Sequence, residues 1–210
     1  ATAASDRGIR RFIHMSTGNM YAASDRACIE TDSLFPTEYA TGYFASKLAA
    51  ELYLTHLGKR TGVEVVILRV GTPYGPGEPG QKVIPNFLRL AAQGQGLRIA
   101  NGGAARYNFV YVTDVANCAV MALEGGPPGI YNVASGEHTS IRELTHAIVE
   151  LFGEREVPLH VEPAARAPFP GFPALSIDKA RRTWGFAPSS LAAGLRRYRA
   201  SLAEGNDAQP

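Results

Sequence analysis

The segment GVEVVILRV, residues 62–70, is the feature that most restricts the fold of this chain. It is almost continuously apolar, whereas a strand with one face in water alternates apolar and polar residues. Such a run is typical of a strand buried on both faces, as in a parallel sheet covered by helices. A Gly/Pro-rich segment, residues 71–80, follows it. The sequence therefore predicts an α/β fold.

Predicted strands and helices alternate along the whole chain. Strands are predicted at residues 9–15, 62–70, 97–100, 107–112, 129–134 and 157–161. Helices are predicted at residues 41–57, 83–93, 114–124, 140–152, 177–184 and 191–203. Thr41 is a predicted N-cap, and Ser140-Ile-Arg-Glu143 reads as a capping box. Strands alternating with helices again indicate the α/β class.

Composition excludes several classes of function. With 210 residues, 45% hydrophobic and 19% charged, the chain is expected to be globular. Its net charge of +2 does not favour nucleic-acid binding. Cys28 and Cys118 lack metal-ligand spacing, so no metal site is expected. No apolar run approaches the roughly 20 residues of a membrane span, and the sequence shows no basic-then-apolar pattern of a signal peptide, so we expect a cytoplasmic protein without a membrane partner.

The main chemical motif is Tyr43 followed four residues later by Lys47. A helix places residues i and i+4 on one face, so both side chains can reach one reacting centre. A phenol with the usual pKa of about 10 exchanges protons near neutral pH only if a nearby charge stabilises the phenolate. Three competing tyrosines lack a lysine four residues later, namely Tyr21, Tyr39 and Tyr74. Ser16 and Thr17 follow a predicted strand, at the edge where parallel sheets bind ligands.

Five motifs occur in a familiar order, and together they carry a family resemblance. They are Ser16-Thr-Gly-Asn-Met-Tyr21, Tyr43-x-x-x-Lys47, Leu68-Arg-Val-Gly-Thr-Pro73, Asn108-Phe-Val-Tyr-Val-Thr-Asp114 and Tyr131-Asn-Val-Ala134. In this order and spacing, the chain resembles the extended short-chain dehydrogenase/reductase family of NAD-dependent epimerases and dehydratases. The resemblance covers residues 1 to about 203.

The resemblance implies a Rossmann-type doubly wound parallel sheet, of which only the second half is present, and a smaller mixed α/β substrate-binding region. Residues 1–75 would be the remainder of the dinucleotide-binding domain and would carry the catalytic residues. Residues 76–210 would be mainly substrate-binding, with segments at about 107–135 returning to the sheet domain. Residues 1–8 are expected to be the tail of a helix, so the chain is expected to begin inside a larger protein.

Roles for individual residues follow from the same resemblance. Thr17, Tyr43 and Lys47 are the predicted catalytic residues, and Ser16 and Pro73 join Tyr43 and Lys47 in contacting NAD or NADP. Tyr43 would move a proton while hydride passes between the cofactor and a sugar or nucleotide-sugar-like alcohol. A homodimer is expected for the full-length protein. The alternatives are a non-catalytic dinucleotide-binding relative, or an inactive fragment that lacks the cofactor-binding half.

Departures from the family pattern reduce the number of family reactions that this chain is expected to catalyse. Family dehydratases carry Thr-Asp-Glu at the hydroxyl site, whereas Thr17 is followed here by Gly18 and Asn19, so a 4,6-dehydratase is disfavoured. The segment Gly75-Pro-Gly-Glu-Pro-Gly80 matches G-x-G-x-x-G, but its two prolines remove backbone N–H groups that a pyrophosphate needs.

Four residues are predicted to contact substrate: Asn19, Thr72, Asn86 and Arg106. Thr72 stands where the family often has asparagine. Tyr107 stands where the family has an arginine that binds the nucleotide diphosphate, and Arg106 lies one residue earlier. Because a one-residue slip in a strand reverses the face of a side chain, Arg106 reaches the substrate only if a bulge intervenes.

Overall fold

A computed structural model describes residues 7–34, 42–153, 157–164 and 169–206. The described strands are β1 (Arg11–Thr17), β2 (Glu64–Val70), β3 (Thr72–Tyr74), β4 (Leu97–Ile99), β5 (Arg106–Tyr107), β6 (Phe109–Tyr111), β7 (Gly129–Val133), β8 (Thr139–Ser140) and β9 (Leu159–Val161). The described α-helices are α1 (Gly42–Thr61), α2 (Val83–Ala92), α3 (Val112–Glu124), α4 (Ile141–Leu151), α5 (Asp178–Trp184) and α6 (Leu191–Asn206). A short 3-10 helix spans Ala100–Gly103.

The central sheet has the strand order β1-β2-β7, and both pairings are parallel. The predicted α/β class with a parallel sheet is therefore confirmed. Ser16 lies level with Arg69, and Arg69 lies level with Asn132. Because parallel strands run the same way, the carboxyl ends of all three meet at one edge of the sheet.

Helices cover both faces of this sheet, which explains the apolar composition of β2. Val65 and Ile67 pack with Leu54 of α1 on one face. Val66, Leu68 and Val70 belong to a larger core on the other face, together with residues of α3, β7 and α5. Successive strand residues point to opposite faces, so a strand covered on both sides requires apolar residues at both parities.

A second core lies among the later elements. It joins α2, β4, β6, α4 and α6 through a set of buried side chains that includes Ile84, Leu88, Leu97, Phe109, Leu144, Ile148, Leu195 and Tyr198. Three two-stranded pairings accompany it: β3 with β6 and β4 with β9 in parallel, and β5 with β8 antiparallel.

The predicted boundaries of the first strand are wrong. The strand runs from Arg11 to Thr17, not over residues 9–15, because its ladder is fixed by pairing with Glu64–Val70. Ser16 and Thr17 are therefore the last two residues of a strand and not the start of a loop. Of the predicted helix tail at residues 1–8, residues 1–6 lie outside the described residues, and residues 7 and 8 form a turn. Thr41, the predicted N-cap, also lies outside the described residues.

The strand predicted at residues 107–112 is also corrected. It forms two short strands interrupted at Asn108, and Val112 already belongs to α3. The Asn108 amide donates to the carbonyl of Pro173 at 2.7 Å, and its side-chain oxygen accepts from the Leu175 N–H at 3.0 Å. The two short strands also have different partners, since β5 pairs with β8 and β6 pairs with β3.

The remaining differences are smaller. Ala100 begins the 3-10 helix instead of ending a strand, and β9 begins at Leu159. The short strands β3 and β8 were not predicted as strands. The capping box is confirmed: Ser140 Oγ accepts from the Glu143 N–H at 3.1 Å, and Glu143 Oε2 accepts from the Ser140 N–H at 2.7 Å.

Candidate active site

The candidate site begins at the carboxyl end of β1. Thr17 is buried there, and its Oγ1 accepts a hydrogen bond from the Asn19 N–H at 3.2 Å. The Gly18 N–H donates to the carbonyl of Val70 at 2.7 Å, which continues the pairing of β1 with β2 past the strand. The hydroxyl of Thr17 is thus held at the edge where ligands bind in parallel sheets.

The first turns of α1 bring Tyr43 and Lys47 to the same edge. Lys47 Nζ donates to the carbonyl of Met15 at 2.8 Å and lies 5.7 Å from the centroid of the Tyr43 ring. Tyr43 is 54% exposed, so its phenol is accessible. The structure therefore places an ammonium between an accessible phenol and the strand that ends in Thr17.

Two of the three competing tyrosines are committed to other contacts. The Tyr21 hydroxyl donates to Asn132 Oδ1 at 2.8 Å, and burial raises the pKa of Tyr21 to about 12. The Tyr74 hydroxyl donates to the carbonyl of Leu191, and burial also raises the pKa of Tyr74. Tyr39 lies outside the described residues. Neither Tyr21 nor Tyr74 is poised to exchange protons with a ligand.

A cavity of about 360 Å³ lies beside this edge. Asn19, Tyr21 and His138 contribute to its wall, together with the segment of residues 169–173. The ring of Phe44, next to Tyr43, meets the ring of Phe172 edge-on at 6.2 Å between centroids. The cavity is therefore adjacent to both the strand end and the helix that carries the phenol.

Two of the residues predicted to contact substrate have a buried polar atom without a hydrogen-bond partner in the described structure. Asn19 Oδ1 and Thr72 Oγ1 are buried and make no hydrogen bond within the described structure. Buried polar atoms are nearly always hydrogen-bonded in proteins, so such an atom at a site edge is available to a ligand. Thr72 begins β3, and Pro73 follows it in the same strand.

Asn19 lines this cavity, whereas Thr72 and the other two predicted substrate contacts, Arg106 and Asn86, do not. Arg106 donates to the carbonyl of His138 and forms an ion pair with Glu143 at 3.0 Å. Asn86 Oδ1 accepts from Arg89 at 2.8 Å. Their roles toward substrate stay predictions.

Sequence reasoning missed a buried ionic group next to the site. Glu51 and Arg69 are 3% and 4% exposed and form an ion pair at 2.7 Å, and Ser16 Oγ donates to the Glu51 carboxylate at 2.5 Å. The signals were a glutamate four residues after Lys47 and a single arginine within the apolar run of residues 65–70. The hydroxyl of Ser16, a predicted cofactor contact, is thus directed to Glu51.

The surroundings of His14 predict how the stability of the fold depends on pH. Burial, together with the charge of Lys47, lowers the pKa of His14 below its ordinary value of 6.5, whereas Glu51 acts in the opposite direction. Below about pH 6.5, His14 therefore binds a proton more readily in the unfolded chain than in the folded chain. The free energy of unfolding falls as the pH drops. We expect the Tm of the wild type to fall more between pH 7.5 and 5.5 than that of His14→Gln, measured by calorimetry. Equal decreases would contradict this assignment.

The part of the chain that the structure describes contains neither a candidate cluster of metal ligands nor a candidate membrane-spanning helix. Across residues 7–34, 42–153, 157–164 and 169–206, no group of three or more His, Cys, Asp or Glu side chains is arranged to hold a metal ion. Within those same ranges, no helix has the length and apolar character needed to cross a membrane.

Comparison with known proteins identifies the family. The model of the NAD dependent epimerase/dehydratase family matches residues 1–134. The chain belongs to this family. Among the curated members it resembles, mouse dTDP-D-glucose 4,6-dehydratase is 34% identical over 154 residues, which are 72% of this chain and 42% of the mouse protein. The dTDP-4-dehydro-6-deoxy-D-allose reductase of Streptomyces bikiniensis is 29% identical over 199 residues, 90% of this chain and 60% of that protein.

A solved structure supports the same placement in the epimerase/dehydratase family. The UDP-glucose 4-epimerase of Thermus thermophilus, in complex with NAD, superimposes with a TM-score of 0.79 at 26% identity, covering 95% of this chain and 66% of that one. The predicted family and Rossmann-type fold are confirmed. The chain spans 42% and 60% of the length of the two curated relatives described above.

Proposed function

We propose that this chain is the catalytic and substrate-binding part of an NAD-dependent oxidoreductase or epimerase that acts on a hydroxyl of a sugar or nucleotide-sugar-like alcohol. One observation carries the proposal. The Lys47 ammonium donates a hydrogen bond to the carbonyl of Met15, which lies two residues before Thr17 in β1. The same ammonium lies beside the accessible Tyr43 ring. A phenol, an ammonium and a hydroxyl at one strand edge suit proton transfer coupled to hydride transfer.

Each residue has a distinct role in the proposed mechanism. Tyr43, as the phenolate, takes the proton of the substrate hydroxyl, and in the reverse direction it returns that proton. Lys47 stabilises the phenolate by its positive charge, and this effect is larger when bound substrate and cofactor exclude water from the half-exposed Tyr43. Thr17 hydrogen-bonds the substrate oxygen and orients it toward Tyr43.

Residues at the same edge fit the nicotinamide end of a dinucleotide. Tyr43, Lys47 and Pro73 would lie against it, and Thr72 Oγ1 offers a buried polar atom that has no partner within the described structure. NAD would supply the acceptor for the hydrogen on the substrate carbon. We favour NAD over the predicted alternative, NADP, because the Thermus thermophilus epimerase structure contains NAD.

The proposed reaction is epimerisation or net oxidation–reduction, although the mouse relative is a dehydratase. Elimination of water needs an acid and a base in addition to the phenol. Thr17 is followed by Gly18 and Asn19, so this strand end supplies no carboxylate pair. The Streptomyces bikiniensis reductase and the Thermus thermophilus epimerase are relatives whose names fit the favoured reactions.

We also propose that the protein assembles as a homodimer through α1, as the family resemblance implies. Leu52 and Tyr53 of that helix are 65% and 78% exposed. Large apolar side chains that a helix leaves exposed are available to such an interface.

The proposed function is tested by Lys47→Met in the purified protein supplied with NAD, with UDP-glucose and dTDP-glucose as probes. We expect turnover to fall about 100-fold, because the phenolate loses its charge partner. Turnover is measured by nuclear magnetic resonance of the product and by absorbance at 340 nm. Lys59→Met is the matched control, since Lys59 lies in the last turn of the same helix. Equal turnover of the two variants would refute the proposal.

A further inference from the structure

A row of polar side chains crosses the otherwise apolar central sheet. Ser16 of β1, Arg69 of β2 and Asn132 of β7 stand level with one another. Residues level across parallel strands point to the same face, so this row lies on the face that α1 covers. All three side chains are buried, with exposed fractions of 5% or less.

Helix α1 contacts the end of β1 at two successive residues. Lys47 Nζ donates to the Met15 carbonyl at 2.8 Å, and Ser16 Oγ donates to the Glu51 carboxylate at 2.5 Å. Lys47 and Glu51 are one turn apart on one helix face, which matches neighbouring positions on the strand. The two contacts together fix both the rotation and the height of the helix relative to the strand end.

Arg69 extends the contact from β1 to the rest of the sheet. Its guanidinium donates to both oxygens of Glu51, at 2.7 Å to Oε2 and 3.1 Å to Oε1, and to the Tyr21 hydroxyl at 2.8 Å. Tyr21 in turn donates to Asn132 at 2.8 Å. One connected set of hydrogen bonds thus ties α1 to all three strands and to the segment that follows Thr17.

We propose that Glu51, acting through Ser16 and Arg69, is a positioning residue that holds Tyr43 and Lys47 over Thr17. The proposal rests on the proposed function, since it assigns those three residues to one reacting centre. Glu51 does not touch the substrate; it determines where the helix that carries the phenol and ammonium lies. A misplacement of about 1 Å in such a centre can lower turnover 100-fold.

Stability and positioning are separable here, because a buried ion pair contributes little net stability. Replacing both partners with apolar residues of similar volume often leaves stability unchanged, whereas removing one partner leaves an uncompensated buried charge. The double variant Glu51→Met with Arg69→Met is therefore expected to melt within about 5 °C of the wild type. It loses the bonds from α1 to Ser16 and to the sheet.

The first readout is the rate of Lys47 acetylation by acetic anhydride, measured by mass spectrometry relative to Lys59 in the same protein. It requires neither substrate nor cofactor. In the double variant we expect Lys47 to react several-fold faster, because its helix is no longer fixed to the strand end. With the probe that the wild type turns over, we expect kcat to fall about 10- to 100-fold while KM changes less than about threefold.

The matched control is Glu64→Gln, compared with Glu51→Gln. Glu64 pairs with Arg11 at the opposite end of the same two strands, roughly 16 Å from Ser16 at about 3.3 Å per residue. Glu51→Gln keeps the size of the side chain and removes its charge. We expect it to accelerate Lys47 acetylation and lower kcat, whereas Glu64→Gln changes neither; this pair decides the test if the double variant does not fold.

Failure of this inference is distinguishable from failure of the proposed function. A double variant that folds with wild-type Lys47 acetylation and kcat would show that Glu51 and Arg69 do not position Tyr43 and Lys47. So would identical behaviour of Glu51→Gln and Glu64→Gln. Full turnover by Tyr43→Phe would instead refute the proposed function, whatever the result at Glu51.

Discussion

Replacement of Tyr43 with phenylalanine is expected to lower turnover about 1,000-fold while the protein keeps its fold. The proposed mechanism routes the proton of the substrate hydroxyl through this phenol, and general acid–base groups typically contribute 10²- to 10⁴-fold. Because Tyr43 is 54% exposed, loss of its hydroxyl should leave the Tm within about 1–2 °C. Turnover of UDP-glucose or dTDP-glucose with NAD, and calorimetry, provide the two measurements.

Tyr53→Phe is the control for this experiment. Tyr53 lies on the same helix and is 78% exposed, so the same chemical change is made away from the strand edge. We expect its turnover to equal that of the wild type. If Tyr43→Phe retained more than a tenth of wild-type turnover, another group would have to carry the proton.

The largest effect on stability is expected for Leu68→Ala. Leu68 has no exposed surface and lies in the central strand, within the core that β2 shares with α3, β7 and α5. Truncation of a buried leucine costs about 3–5 kcal/mol, because the lost transfer free energy is added to that of the cavity left behind. In a chain of this size that corresponds to a decrease in Tm of roughly 10 °C.

Leu123→Ala makes the same truncation on the surface of α3. Leu123 is 58% exposed, and we expect a change within about 0.5 kcal/mol. Urea titrations of the wild type and the two variants would give the change in the free energy of unfolding for each variant. Similar values for the two variants would mean that β2 is not covered on both faces.

The parts of the fold that sequence predicts well are those set by local patterns. The continuous apolar run of β2 predicts a buried strand, and the i to i+4 spacing of Tyr43 and Lys47 places both on one helix face. The Ser140–Glu143 capping box also depends only on neighbouring residues, and the structure shows both of its hydrogen bonds.

The parts that sequence predicts poorly depend on distant partners. The end of β1 at Thr17 is fixed by pairing with β2, some 50 residues later in the chain. The interruption at Asn108 separates a strand that pairs with β8 from a strand that pairs with β3. The ion pair of Glu51 with Arg69 joins a helix to a strand, so neither residue alone predicts it.

The polar row across the sheet also bears on how the chain selects one alignment of its strands during folding. Val, Ile and Leu recur along β2, so a shift by two residues would keep every side chain on its face and preserve most apolar contacts. Such a shift would carry Arg69 away from Glu51 and leave a buried guanidinium without its carboxylate, at a cost of several kcal/mol. One arginine therefore excludes misaligned sheets that hydrophobic burial alone would tolerate.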